Sequence, residues 1–144
     1  MKIIFLILLT FVILQAQSLK DIKFKDVVVD EVTSIYDGNT FRANINSYPD
    51  IIGKRMAIRI NGIDTPEIKT KCIKEKKLAR KAKQFTVSKL RNAKIIELRN
   101  IKRGKYFRIV ADVYIDGINL AKQLIKKDLA VEYHGGKKVK DWCK

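Results

Sequence analysis

From residue 24 onward, apolar positions recur at every second residue in short runs, and turn-forming residues separate the runs. Val27, Val28, Val29, Val32 and Ile35-Tyr36 form a first strand that ends at Asp37-Gly38, a strong hairpin-turn dipeptide. Phe41-Arg42-Ala43-Asn44-Ile45 alternates on the far side, and residues 46–53, with Ser47, Pro49 and Asp50, read as a second connection. Met56-Ala57-Ile58-Arg59-Ile60 is the third strand, and Pro66 requires it to end by Asp64, because proline has no N–H for a ladder and drives Thr65 out of helical geometry. The period then lengthens. Leu78, Ala82, Phe85, Leu90 and Ala93 fall near one face, with Ala79 and Thr86 alongside, which predicts an amphipathic helix over residues 74–92. A fourth strand begins at residues 95–98, Arg103-Gly104-Lys105 turns it, and residues 108–115 supply a fifth. A second helix is expected over 118–127, then a brief extended piece over 129–133 and a basic tail over 135–144. Five short strands with a helix inserted after the third fit an α+β fold, a five-stranded Greek-key barrel of the oligonucleotide-binding type with two to three packed helices. An open meander with two packed helices is the alternative from pattern alone.

The first residues do not belong to that barrel. Met1-Lys2 is followed by an apolar run from Ile3 to Leu14, broken only by Thr10, and then by the small residues Ala16 and Ser18. This is the pattern of a cleaved signal peptide over residues 1–18, with a tether over 19–23 and a domain over 24–134. The run is too short to span a bilayer comfortably, so an uncleaved anchor is the weaker reading. The lack of a cysteine after the run argues against a lipoprotein. Export to the periplasm, the cell surface or the medium follows, without stable membrane insertion.

Charge narrows the partners. The formal net charge is +16, and removal of residues 1–18 takes away one Lys and no acid, leaving +15. Residues 69–94 hold eleven Lys or Arg and a single acid, Glu75. So one-sided a run points to a polyanion, either nucleic acid or an anionic surface. Cys72 and Cys143 are an even pair in a chain that leaves the reducing cytoplasm, which favours a disulfide between them. One histidine, His134, and two distant cysteines make a poor tetrahedral zinc set.

The chemistry concentrates in Arg59-Ile60-Asn61-Gly62-Ile63-Asp64-Thr65-Pro66-Glu67, where two carboxylates and a guanidinium stand at the end of a strand on a stiffened loop. Such a loop suits a metal ligand facing a general base. Alone, it is more readily a solvated loop with a surface ion pair. Asp37-Gly38-Asn39-Thr40 upstream and Lys105-Tyr106-Phe107-Arg108 downstream change the weighing. Together, in this order and at these spacings, the three stretches resemble the staphylococcal nuclease (thermonuclease) family over residues 24–134.

The resemblance implies the barrel fold and a nuclease cutting DNA and RNA with little sequence preference, leaving 3′-phosphate and 5′-hydroxyl ends. It implies one Ca²⁺ ion, held by Asp64, the Thr65 carbonyl and the residue at Asn39. Glu67 would act on the attacking water, and Arg59 and Arg108 would grip the phosphate. Lys105, Tyr106 and Tyr133 would contact nucleic acid, with the match at Tyr133 the loosest. The family carries an aspartate where this chain has Asn39, which removes one negative charge from the ion site. A monomer is expected. The competing readings are a nucleic-acid-binding barrel without catalysis and a cationic surface-binding protein.

Overall fold

The computed structural model describes residues 24–144. The signal peptide and tether expected over residues 1–18 and 19–23 lie outside the described residues. The first strand is bent into β1 (Val27–Val28) and β2 (Glu31–Ile35), and its two halves serve different neighbours. β1 pairs antiparallel with β6 (Ile96–Arg103), whereas β2 pairs with β3 (Thr40–Asn44). At the bend, the Val29 N–H donates to Ile96 O at 2.9 Å and the Asp30 N–H to Asn44 O at 3.0 Å. β4 (Met56–Ile60) runs antiparallel to β3 and parallel to β7 (Ile109–Ile115), which pairs antiparallel with β6. The order is β1-β6-β7-β4-β3-β2, so the sheet curls until the two halves of its first strand meet. This is the mixed, barrel-like α+β arrangement that the alternation predicts, its five long runs serving as staves.

The interior follows from the two-residue period. Met56, Ile58 and Ile60 on β4 and Ala111, Val113 and Ile115 on β7 point inward, joined by Phe41, Ala43, Ile45 and Leu98. α2 (Ile73–Asn92) and α3 (Leu120–Lys126) cover the barrel, and Leu120 and Leu124 enter the core. Residues 46–53, read as an irregular connection, contain a short α1 (Asp50–Gly53) that follows Pro49. β6 runs further than expected because a register shift between Arg99 and Lys102 absorbs Asn100, whose φ is 50°, and brings Ile101 back to the core. α3 starts two residues later than expected because β8 (Ile118–Asn119) first pairs with β7, and Asn119 then caps the helix by accepting the Lys122 N–H. β5 (Ile63–Asp64) and β9 (Val131–Glu132) form a separate antiparallel pair, too short to show an alternation.

The buried line of α2 is Ala79, Ala82, Thr86 and Leu90, with Leu78 and Phe85 only half-buried at its side. The expected face is therefore rotated toward its smaller members. The cause is a close approach: Thr86 Oγ1 donates to Gly38 O at 2.7 Å, drawing the helix onto the Asp37-Gly38 turn. A Cβ at Gly38 would lie 2.8 Å from Ala82 Cβ and 3.1 Å from Thr65 Cγ2. Gly38 does not adopt a positive φ, so its lack of a side chain serves packing. Gly38→Ala is expected to destabilise the protein by about 1–3 kcal/mol through overpacking. Denaturant unfolding of Gly38→Ala beside Gly38→Ala/Ala82→Gly tests this, because the second change should restore part of the loss.

Candidate active site

Three segments distant in sequence meet at one end of the barrel. The turn between β2 and β3 brings Asp37 and Asn39, β4 and its exit bring Arg59, Asp64, Thr65 and Glu67, and the entry to β7 brings Arg108. Sheet register does the placing. Thr40 lies opposite Arg59 on one side and Val110 opposite it on the other, while the Ile60 N–H donates to Asn39 O at 2.9 Å. Ile58 and Ile60 point into the core, so Arg59 must face outward. It faces a cleft of about 640 Å³ whose walls include Asp37, Glu67, Lys83, Tyr106 and Arg108.

Arg59 Nη2 donates to Ile63 O at 3.0 Å and stands 4.0 Å from Asp64 Oδ1. Burial lowers the Arg59 pKa, Asp37 and Asp64 pull it back up, and Arg108 adds to the lowering. Burial also raises the Asp37 carboxyl, against the Asn39 N–H that donates to its Oδ1 at 2.9 Å and the nearby Arg59 charge. The cleft thus concentrates two guanidiniums beside carboxylates in a partly desolvated place, where charge interactions are stronger than in water.

Asp64 is 5% exposed, and its Oδ2 is buried without a hydrogen-bond partner. An orphaned carboxylate oxygen of this kind fits a hard cation. Thr65, next to it in the chain, and Asn39 are also buried, and the Asn39 amide oxygen accepts from Thr40 Oγ1 at 3.2 Å. Among the described residues no three His, Cys, Asp or Glu gather into a metal-binding group, so an ion here would depend on amide and backbone oxygens as well as carboxylates.

Of the residues expected from the sequence, Arg59, Glu67, Tyr106 and Arg108 line the cleft. Asn39, Asp64, Thr65, Lys105 and Tyr133 do not. Lys105 is exposed and its carbonyl accepts from Arg108 Nε at 3.3 Å. Tyr133 braces the chain's last segment, its N–H donating to Gly62 O and its hydroxyl to Gly136 O. Tyr106 is 86% exposed at a tip where it and Phe107 both have φ near +55°, at 56° and 53°. That conformation is strained for bulky residues, and it holds the ring at the rim. Cys72 and Cys143 are bridged, with their Cα atoms 6.1 Å apart.

Three contributors escape the sequence reading. Asp37 sits in the cleft wall and not only in a turn. Glu75, the lone acid of the basic run, accepts the Glu67 N–H at 3.0 Å, while its own N–H is taken by Cys72 Sγ at 3.5 Å. The first turn of α2 therefore fixes the backbone of Glu67. Lys138 places its Nζ 2.7 Å from Glu67 Oε1 and 3.4 Å from Asp64 Oδ1. Burial would lower the Lys138 pKa, but the hydrogen bond to Glu67 and the charge of Asp64 outweigh it, and the net shift is upward.

The family model described as staphylococcal nuclease homologue matches residues 57–141, from within β4 to beyond Lys138. A probable staphylococcal-like nuclease of Oryza sativa subsp. japonica is 31% identical over 84 residues, which make up 58% of this chain and 23% of that protein. The chain thus spans less than a quarter of that relative's length. With more than half its length matched by the family model, the chain belongs to the staphylococcal nuclease family.

Proposed function

We propose that the protein is an exported, Ca²⁺-dependent nuclease that hydrolyses DNA and RNA with little sequence preference. The observation that carries this reading is the meeting of Arg59, Glu67 and Arg108 at one cleft, with Arg59 standing 4.0 Å from Asp64, whose other oxygen is orphaned. Asp64, Asn39 and the Thr65 carbonyl would hold the ion, which when bound supplies positive charge to the phosphoryl oxygens.

Glu67 orients a water and takes its proton as the water oxygen attacks phosphorus. The phosphorus bond to the 5′ oxygen breaks, leaving a 3′-phosphate and a 5′-hydroxyl once that oxygen gains a proton. Arg59 and Arg108 present planar forks of donors to the non-bridging oxygens, where negative charge grows in the transition state. The basic outer face of α2, continued by Lys83 in the cleft wall, supports a polyanionic substrate. Tyr106 at the rim offers a ring for sequence-tolerant stacking.

The second reading, a binding barrel without catalysis, rests on Asn39 standing where the family carries an acid. The two separate in one experiment. Purified protein with single-stranded DNA or RNA is expected to give 3′-phosphate fragments in Ca²⁺ and none in excess chelator. Intact nucleic acid that is nonetheless retained by the protein would replace the enzyme with the binding module.

A further inference from the structure

The ammonium of Lys138 bridges Asp64, the carboxylate that would hold the ion, and Glu67, the carboxylate that would act on the water. Its Nζ lies 2.7 Å from Glu67 Oε1 and 3.4 Å from Asp64 Oδ1. We propose that Lys138 is the built-in occupant of this cation position, and that a divalent ion binds only by displacing it. The inference rests on the ion reading of Asp64 given above.

The contact is not a chance meeting of sequence neighbours. Lys138 comes from the far end of the chain, on a segment held on both sides. Before it, β9 pairs with β5 so that Val131 lies opposite Asp64 and Glu132 opposite Ile63. The Tyr133 hydroxyl then ties the turn at Gly135 and Gly136, both at positive φ, back onto itself. After it, Trp142 is 4% exposed and Cys143 is bridged to Cys72 at the start of α2. With both flanks fixed, the lysine reaches the carboxylates as an intramolecular ligand at high effective concentration. Its side chain remains 47% exposed, so it can leave toward solvent without opening the barrel.

Charge explains why the two cations exclude each other. Asp64 is the one carboxylate among the residues that would hold the ion, Glu67 stands next to it as the base, and Asn39 adds an amide where a second carboxylate ligand would strengthen ion binding. An ammonium already shared between those two carboxylates satisfies much of their charge. A divalent ion placed beside it would meet repulsion at a few ångströms in a partly buried site. Apparent Ca²⁺ affinity is therefore the intrinsic affinity reduced by the fraction of molecules in which Lys138 has withdrawn.

Calorimetric titration of Ca²⁺ into the disulfide-bonded protein, Lys138→Met and Asp64→Asn tests this without reference to activity. Lys138→Met is expected to bind about tenfold more tightly than the unaltered protein, corresponding to a lysine withdrawn in roughly one molecule in ten. Asp64→Asn is expected to lose the ion. A second readout is acetylation of Lys138 by a soluble anhydride, followed by mass spectrometry, which should accelerate when Ca²⁺ saturates the protein. Equal or weaker Ca²⁺ binding by Lys138→Met, or acetylation indifferent to Ca²⁺, overturns the proposal. If that happens while the unaltered protein still cleaves DNA in Ca²⁺, the nuclease reading stands and only the role of Lys138 falls. If no variant binds Ca²⁺ and no cleavage is seen, both fall.

Discussion

Replacing Glu67 with Gln is expected to lower the single-turnover rate of phosphodiester cleavage by about 10²- to 10⁴-fold, the range for loss of a general base. The substitution is nearly isosteric, and its amide oxygen can still accept from Lys138, which bonds Glu67 Oε1 at 2.7 Å. The loop keeps its place, because Glu75 accepts the backbone N–H of residue 67 whatever the side chain. What disappears is the capacity to accept a proton from water. Binding of nucleic acid, which on the proposed reading draws on the basic face of α2, should change by only a few-fold. Fluorescence anisotropy for binding and rapid quench for cleavage measure the two separately. A folded Glu67→Gln protein that cuts within a few-fold of the unaltered rate would remove Glu67 from the proposed mechanism.

Arg59→Lys is expected to reduce cleavage by about 10²- to 10³-fold, the loss typical of removing a donor aimed at transition-state charge. Arg59 commits one nitrogen to Ile63 O and lies beside Asp64, leaving the rest of its fork toward the cleft. Lysine keeps the charge but offers a single nitrogen, which cannot hold the loop carbonyl and grip two phosphoryl oxygens together. Because the half-buried stem remains covered by the same neighbours, the thermal midpoint should move little. Loss of cleavage without a comparable loss of binding supports the role. A drop smaller than tenfold in a folded protein would leave Arg59 as a brace for the β4–β5 loop alone.

The barrel was legible because its strands alternate cleanly. Ile58 and Ile60 bracket Arg59, and Ala111, Val113 and Ile115 repeat the pattern, so inside and outside follow from spacing. The short pair β5–β9 was not, since two residues per strand carry no period. The buried face of α2 was placed slightly off because hydrophobicity favours Leu78 and Phe85, whereas contact with the Gly38 turn selects small side chains. Within the site, Arg59, Asp64 and Glu67 are close in sequence and read as a unit. Asp37 was concealed by its fitness for a turn. Lys138 was concealed by its basic neighbours, as nothing local separates a lysine that reaches a carboxylate pair from one that faces water.

The junction of β4 with β7 is the parallel pairing of the main sheet, with Arg59 opposite Val110. Arg108 precedes Val110 by two residues and therefore keeps to the same side as Arg59. A slip of this ladder by one residue would send every side chain of β7 to the opposite face. Arg108 would then turn away from the cleft, while Ala111 and Val113 left the interior. The packing of those two apolar residues thus sets the aim of a guanidinium several residues away. Enlarging Ala111, whose exposure is 0%, should accordingly disturb phosphate recognition along with stability, although its methyl never meets the substrate.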